Sequence, residues 1–211
     1  QASECHRALR HPRSEHGCVS DPSGKNAPQA LSVKGALSLT DGSDISTNGK
    51  VSAASLEMKN STLSISNIKP QSLALTGKTD ALKQPITSHI TNSTLLLNGS
   101  MSVAANMELN NATIQLKDAN TTKPKALAMA VKGDMTLGGK SQLFLSGALS
   151  AKNLTLGTGS IYMTGEKQQT IKVSNALTLN GGTELNFGFS ITQKDFDKNK
   201  AFKILTFKVL D

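Results

Sequence analysis

The acidic side chains that could share chemistry stand in a few places: Asp41 with Asp44, the separate Asp118 and Asp134, and Asp195 with Asp197. Two converging carboxylates are what glycoside cleavage requires, with basic residues or calcium to hold an acidic sugar. No Arg or His lies near either close pair. Asp41 falls in a turn that already explains it, and residues 195–200 read as a charged loop. Ser146-Gly147 and Ser160 lack the Gly-rich nucleophile loop and the His and Asp partners that a serine protease needs. His89, the only histidine outside the N-terminal stretch, reads as an exposed loop residue without a partner. The residues therefore predict no catalytic, cofactor-binding or metal-binding site, and a chain that is not an enzyme. The runner-up is a carbohydrate-active enzyme, a polysaccharide lyase or hydrolase.

Cys5, His6, His16 and Cys18 could supply four zinc ligands, but neither their order nor their spacing matches a zinc finger. A short disulfide loop between Cys5 and Cys18 is a second reading. The preferred one takes residues 1–28 as an unstructured leader or cloning remnant, and 29–211 as the folded unit. The chain starts at Gln1 without Met and stops at Asp211 directly after an alternating run, so both ends read as cut. The absence of a signal peptide or membrane anchor from it therefore carries little information.

The net charge of +8 comes from 23 basic against 15 acidic residues. No Arg follows Arg13, and aromatic residues amount to six Phe, one Tyr and no Trp. Sequence-reading proteins use Arg forks and stacking platforms, so nucleic acid is not an expected partner. Scattered Lys reads as solvated strand faces and protected edges, with a diffuse attraction to anionic surfaces as the lesser reading. No stretch approaches the roughly 18 apolar residues of a membrane helix.

What must position these residues is a repeated phrase of two short strands around a tight turn. It occurs at 37–45, 56–65, 95–103, 107–116, 135–145, 154–163 and 177–187, with a weaker instance at 73–82. Residues two apart in a strand share a face, so Leu37 and Leu39, or Leu177 and Leu179, point one way and Ser, Thr, Glu or Lys the other. Asp41-Gly42, Asn98-Gly99, Gly138-Gly139 and Gly181-Gly182 tolerate positive φ. The intervals average about 20 residues and are irregular, without the helices of leucine-rich repeats or the strict period of hexapeptide coils. The expected fold is all-β, a right-handed parallel β-helix (β-solenoid) of about eight or nine coils, with the turns as corners between parallel sheets. A β-sandwich is the alternative, because two-residue turns also make hairpins. Stacked at about 4.8 Å, such coils make a rod about 40 Å long. Turns containing Asn98, Asn110 and Asn111 are expected to stack in ladders. Residues 117–125 and 77–88 are expected to form loops. Six Asn-x-Ser/Thr sequons, at Asn60, Asn92, Asn98, Asn111, Asn120 and Asn153, are explained by turn chemistry.

The L-x-L coils, the Asn-Gly turns and the lack of cysteine after Cys18 resemble the passenger region of bacterial autotransporters, including its vacuolating-cytotoxin-like group. Residues 201–210 add Phe202-Lys203-Ile204-Leu205-Thr206, which is similar to that family's F-x-[IL]-L-[ST] strand. The stretch with Cys5 and Cys18 does not fit. The resemblance implies an extracellular or cell-surface passenger, a stalk and display surface for adhesion or toxin-like host interaction. It implies a host-cell receptor or glycan as partner. It also implies a downstream outer-membrane barrel, through which export is coupled to coiling.

Overall fold

The computed structural model describes residues 30–66, 71–120, 122, 124–164, 169–187 and 205–206. Every pairing between strands is parallel, which separates the molecule from a sandwich. Among the described residues the one antiparallel bridge, Thr79 to Pro85, lies inside an insertion.

The chain winds through three faces per coil. Face one stacks β1 (Leu31–Ser32), β4 (Val51–Ala53), β7 (Gln71–Leu75), β10 (Ser100–Val103) and β13 (Met129–Val131). Face two stacks β2 (Ala36–Leu39), β5 (Ser55–Lys59), β8 (Thr87–Thr91), β11 (Asn106–Asn110) and β14 (Asp134–Gly138). Long strands β16 (Leu149–Leu156) and β18 (Ile171–Leu179) run through both faces and join them into one curled sheet of 13 strands. Face three is a separate sheet of seven: β3 (Asp44–Thr47), β6 (Thr62–Ile65), β9 (Thr94–Leu97), β12 (Thr113–Leu116), β15 (Gln142–Leu145), β17 (Ser160–Met163) and β19 (Glu184–Phe187). This is a parallel β-solenoid with seven full coils. An eighth begins with β20 (Leu205–Thr206), which pairs with β18 at Ile171 and Lys172. The described stack is about 30 Å tall at one strand spacing per coil.

Alternation explains the core. Leu39, Met58, Ile90, Leu109, Leu137 and Leu156 lie one above another on face two. Leu63, Leu95, Ile114, Leu143 and Ile161 do the same on face three, and all are buried. Leu37, Leu56 and Leu154 point inward as expected, and Leu177 packs against the same core. Two inward serines are satisfied by the backbone: Ser88 Oγ accepts the Leu56 N–H at 3.1 Å, and Ser93 Oγ accepts that of Ser61 at 3.1 Å.

The corner between faces two and three recurs with one backbone device. Asp41, Asn60, Asn92 and Asn111 all have φ between 48° and 57°, and Gly139 takes the same conformation. Asn92 Nδ2 donates to Asn60 Oδ1 at 3.3 Å, and the Lys140 N–H to Asn111 Oδ1 at 3.0 Å. Asn and Gly suit this left-handed region, which costs other L-residues about 1–2 kcal/mol. Three sequons, at Asn60, Asn92 and Asn111, are thus corner residues. A fourth, Asn153, donates to Asp134 and accepts from Asn175 Nδ2 and the Ala176 N–H in a ladder at the corner between faces one and two. Asn92→Ala should lower unfolding free energy by about 1–2 kcal/mol, whereas Asn92→Gly should stay within a few tenths. Urea titration of the two variants checks it, and equal losses would mean that side-chain stacking, not φ, governs the corner.

Most lysines avoid the strand faces on which sequence placed them. Lys34, Lys50, Lys78, Lys83, Lys117, Lys125, Lys132 and Lys140 lie in corners or insertions; Lys59, Lys152 and Lys172 are the strand lysines among the described residues. Narrow stacking explains this: like charges one strand spacing apart repel, and a corner lets them fan out.

Candidate functional site

The acidic residues singled out by sequence, where they are among the described residues, stand at separate places in the fold. Asp41 occupies the left-handed corner and Asp44 starts β3, opposite Thr62. Asp134, a face-two residue, is held by Asn153 Nδ2 at 2.6 Å. Asp118 caps a loop, while Asp195, Asp197, Cys5 and Cys18 lie outside the described residues. Among the described residues no three His, Cys, Asp or Glu side chains come together as metal ligands.

His89 is corrected from loop to strand. It points outward from the middle of β8, in register with Glu57 on one side and Glu108 on the other. Its Nδ1 lies 3.3 Å from Glu108 Oε2, both side chains being about half exposed, so the contact contributes little. Partial burial raises the Glu57 carboxyl above its ordinary range, with His89 pulling it the other way.

Both expected insertions are present. Residues 76–86 leave the corner between β7 and β8 as a small hairpin, closed by Leu82 and Gln84 N–H groups donating to Asp80 Oδ1 at 2.8 and 2.9 Å. Thr87 and Ser88, expected in this loop, belong to β8 because Ser88 turns inward. Residues 117–128 separate β12 from β13. There the Lys125 N–H reaches Asp118 Oδ2 at 2.6 Å and the Asn120 N–H reaches Oδ1 at 3.1 Å. These two bonds, Lys125 first, hold the Asp118 carboxyl below its ordinary value of 3.8. A depressed carboxyl stabilises above its unfolded value, so this tie is complete above pH 3.8 and is lost as pH falls through the lower folded-state value. Hydrogen exchange should therefore show the Lys125 and Asn120 amides losing protection in Asp118→Ala at pH 7. Unchanged protection there would contradict the capping role.

The outer side of face three brings together what the sequence kept apart. Its first row runs Asp44, Thr62, Thr94, Thr113, Gln142, Ser160 and Glu184; its second runs Ser46, Ser64, Leu96, Gln115, Phe144, Tyr162 and Asn186. Phe144 and Tyr162 stack with ring centroids 4.7 Å apart and planes 11° off parallel. No Lys or Arg occurs in any of the seven strands. At the N-terminal end the face opens into a shallow groove of about 430 Å³, to which Asp44, Asn60, Thr62, Asn92 and Thr94 contribute. Face one differs: its outward row runs through the small residues Ser32, Ser52, Ala74, Ser102, Ala130 and Ser150 and ends on the exposed Lys172.

Comparison with protein-family models, curated proteins and solved structures gave no match.

Proposed function

We propose that the chain is a fragment of a secreted or surface-displayed bacterial passenger of the autotransporter type, serving as stalk and display surface in adhesion or toxin-like host interaction. The observation that carries this reading is the uninterrupted parallel stack of aliphatic coils. Each coil hydrogen-bonds only its neighbours, so the unit can grow coil by coil at the far side of a membrane, and stability accrues locally. The Leu205-Thr206 strand of the family-like run supports it by adding to the same stack. Export would proceed through a barrel encoded downstream.

The test is protease added to intact cells that express the full reading frame. Release of the solenoid from the surface is the expected result; protection until the outer membrane is broken would overturn the reading. Polysaccharide-cleavage assays form a second arm. Turnover by the wild type that is lost in an Asp41→Ala/Asp44→Ala or Asp195→Ala/Asp197→Ala variant would replace display with catalysis.

A further inference from the structure

We infer that the outer side of face three is a binding track for an uncharged glycan chain, an inference that rests on the display reading and names the ligand class its surface takes. A sugar chain offers apolar C–H patches on its ring faces and hydroxyl groups at its edges. Face three offers the counterpart of both. The Phe144–Tyr162 pair makes an apolar ridge, continued across Gln115 by Leu96. Beside it runs a row of hydroxyls and amides, from Thr62 through Thr94, Thr113 and Gln142 to Ser160.

The two rows are two residues apart on each strand, about 6.6 Å, and each repeats at about 4.8 Å along the rod. Polar groups therefore recur at regular intervals beside apolar surface, an arrangement suited to a repeating ligand. The groove flanks this row at Thr62 and Thr94 and adds the side-chain amides of Asn60 and Asn92, with Asp44 also on its lining.

Charge selects the class. The chain carries +8 overall, yet these seven strands hold no cation, and the outward acids Asp44 and Glu184 stand only in the first and last of them. An anionic glycan would find cations only at the margins of the face, at Lys117 and Lys140, and none along the two rows, whereas an uncharged one needs none. Faces one and two lack the combination. The first presents small residues and Lys172 without aromatics, and the second carries Glu57, His89 and Glu108.

The experiment presents the whole chain to an array of immobilised oligosaccharides, neutral, sialylated and sulfated, and repeats it with Phe144→Ala/Tyr162→Ala, with Thr113→Ala/Gln142→Ala and with Glu57→Gln as a control on face two. Binding to at least one neutral class is expected. It should weaken about tenfold in each face-three variant, since an aromatic contact or a pair of polar contacts is worth about that factor, and should be unchanged in the control. Circular dichroism melts verify that the variants fold, the polar pair serving if the aromatic pair does not. Binding confined to sialylated or sulfated glycans, an array without signal, or neutral binding untouched by both face-three variants would each overturn the inference. So would dissociation of a solution dimer by these variants without any glycan signal, because the face would then be a contact between copies. A blank array on a chain that protease does release from intact cells removes the glycan track alone. A positive array on a chain that is not exported removes the display reading instead.

Discussion

Leu95→Ala should lower the unfolding free energy by about 3–4 kcal/mol, the upper part of the range for truncating a fully buried leucine. Leu95 has no exposed surface, and it is stacked between Leu63 at 1% and Ile114 at 0% exposure on adjoining strands. A solenoid cannot close the resulting gap easily, because each coil is fixed from above and below by ladder hydrogen bonds. Collapse would have to shift both neighbours. The position in the stack gives the prediction a second part. Leu95 belongs to the third of seven coils, and coupling in a linear array is between neighbours. Its loss should therefore separate the unfolding of the N-terminal coils from that of the coils beyond β12. Urea titration followed by hydrogen exchange would show amides of β3 and β6 opening before those of β15 and β17. A loss below about 1 kcal/mol, or uniform opening along the chain, would mean that the core tolerates voids and does not transmit along one axis.

The stacking of Leu63, Leu95 and Ile114 was legible in outline. L-x-L alternation identified strands, and Asp, Asn and Gly identified the corner between faces two and three. What remained hidden is the register. Residues 95–103 look like another copy of the phrase, but they are β9 and β10, which meet at a different corner. The copy that belongs there is 87–97, where Ser88 takes the inward place that Leu, Met or Ile holds elsewhere, so alternation fails and His89 reads as loop. Strands such as Val51–Ala53 and Met129–Val131 are too short to show a period, and so face one of each coil is not legible in the sequence. The insertions 76–86 and 117–128 stretch two coils and obscure the repeat. Phe144 and Tyr162 each stand alone in their strands. Only the pairing of β15 with β17 makes them a surface, and no local pattern carries that information.

Register also separates two glycines that look alike in sequence. Gly147 lies at the corner between β15 and β16, where the backbone of the preceding coil passes closely. A Cβ there would stand 2.6 Å from the Leu127 carbonyl oxygen and 2.7 Å from its carbon. Those atoms are main chain, so no rotamer change relieves the clash. The same approach is used by Ser146, whose Oγ accepts the Leu127 N–H at 3.2 Å, and moving the coils apart would break that bond. Gly147→Ala should cost about 1–3 kcal/mol, as overpacking does in a rigid interior. Gly35, between β1 and β2, has nothing within 4 Å of its Cβ position and no positive φ. Gly35→Ala should instead stabilise by about 0.4–1 kcal/mol, because alanine restricts the unfolded chain without straining the folded one. Thermal and urea melts of the two variants decide the matter. If both shift stability in the same direction, the coils are not held at the separation on which the three faces of the solenoid, and the surface they display, depend.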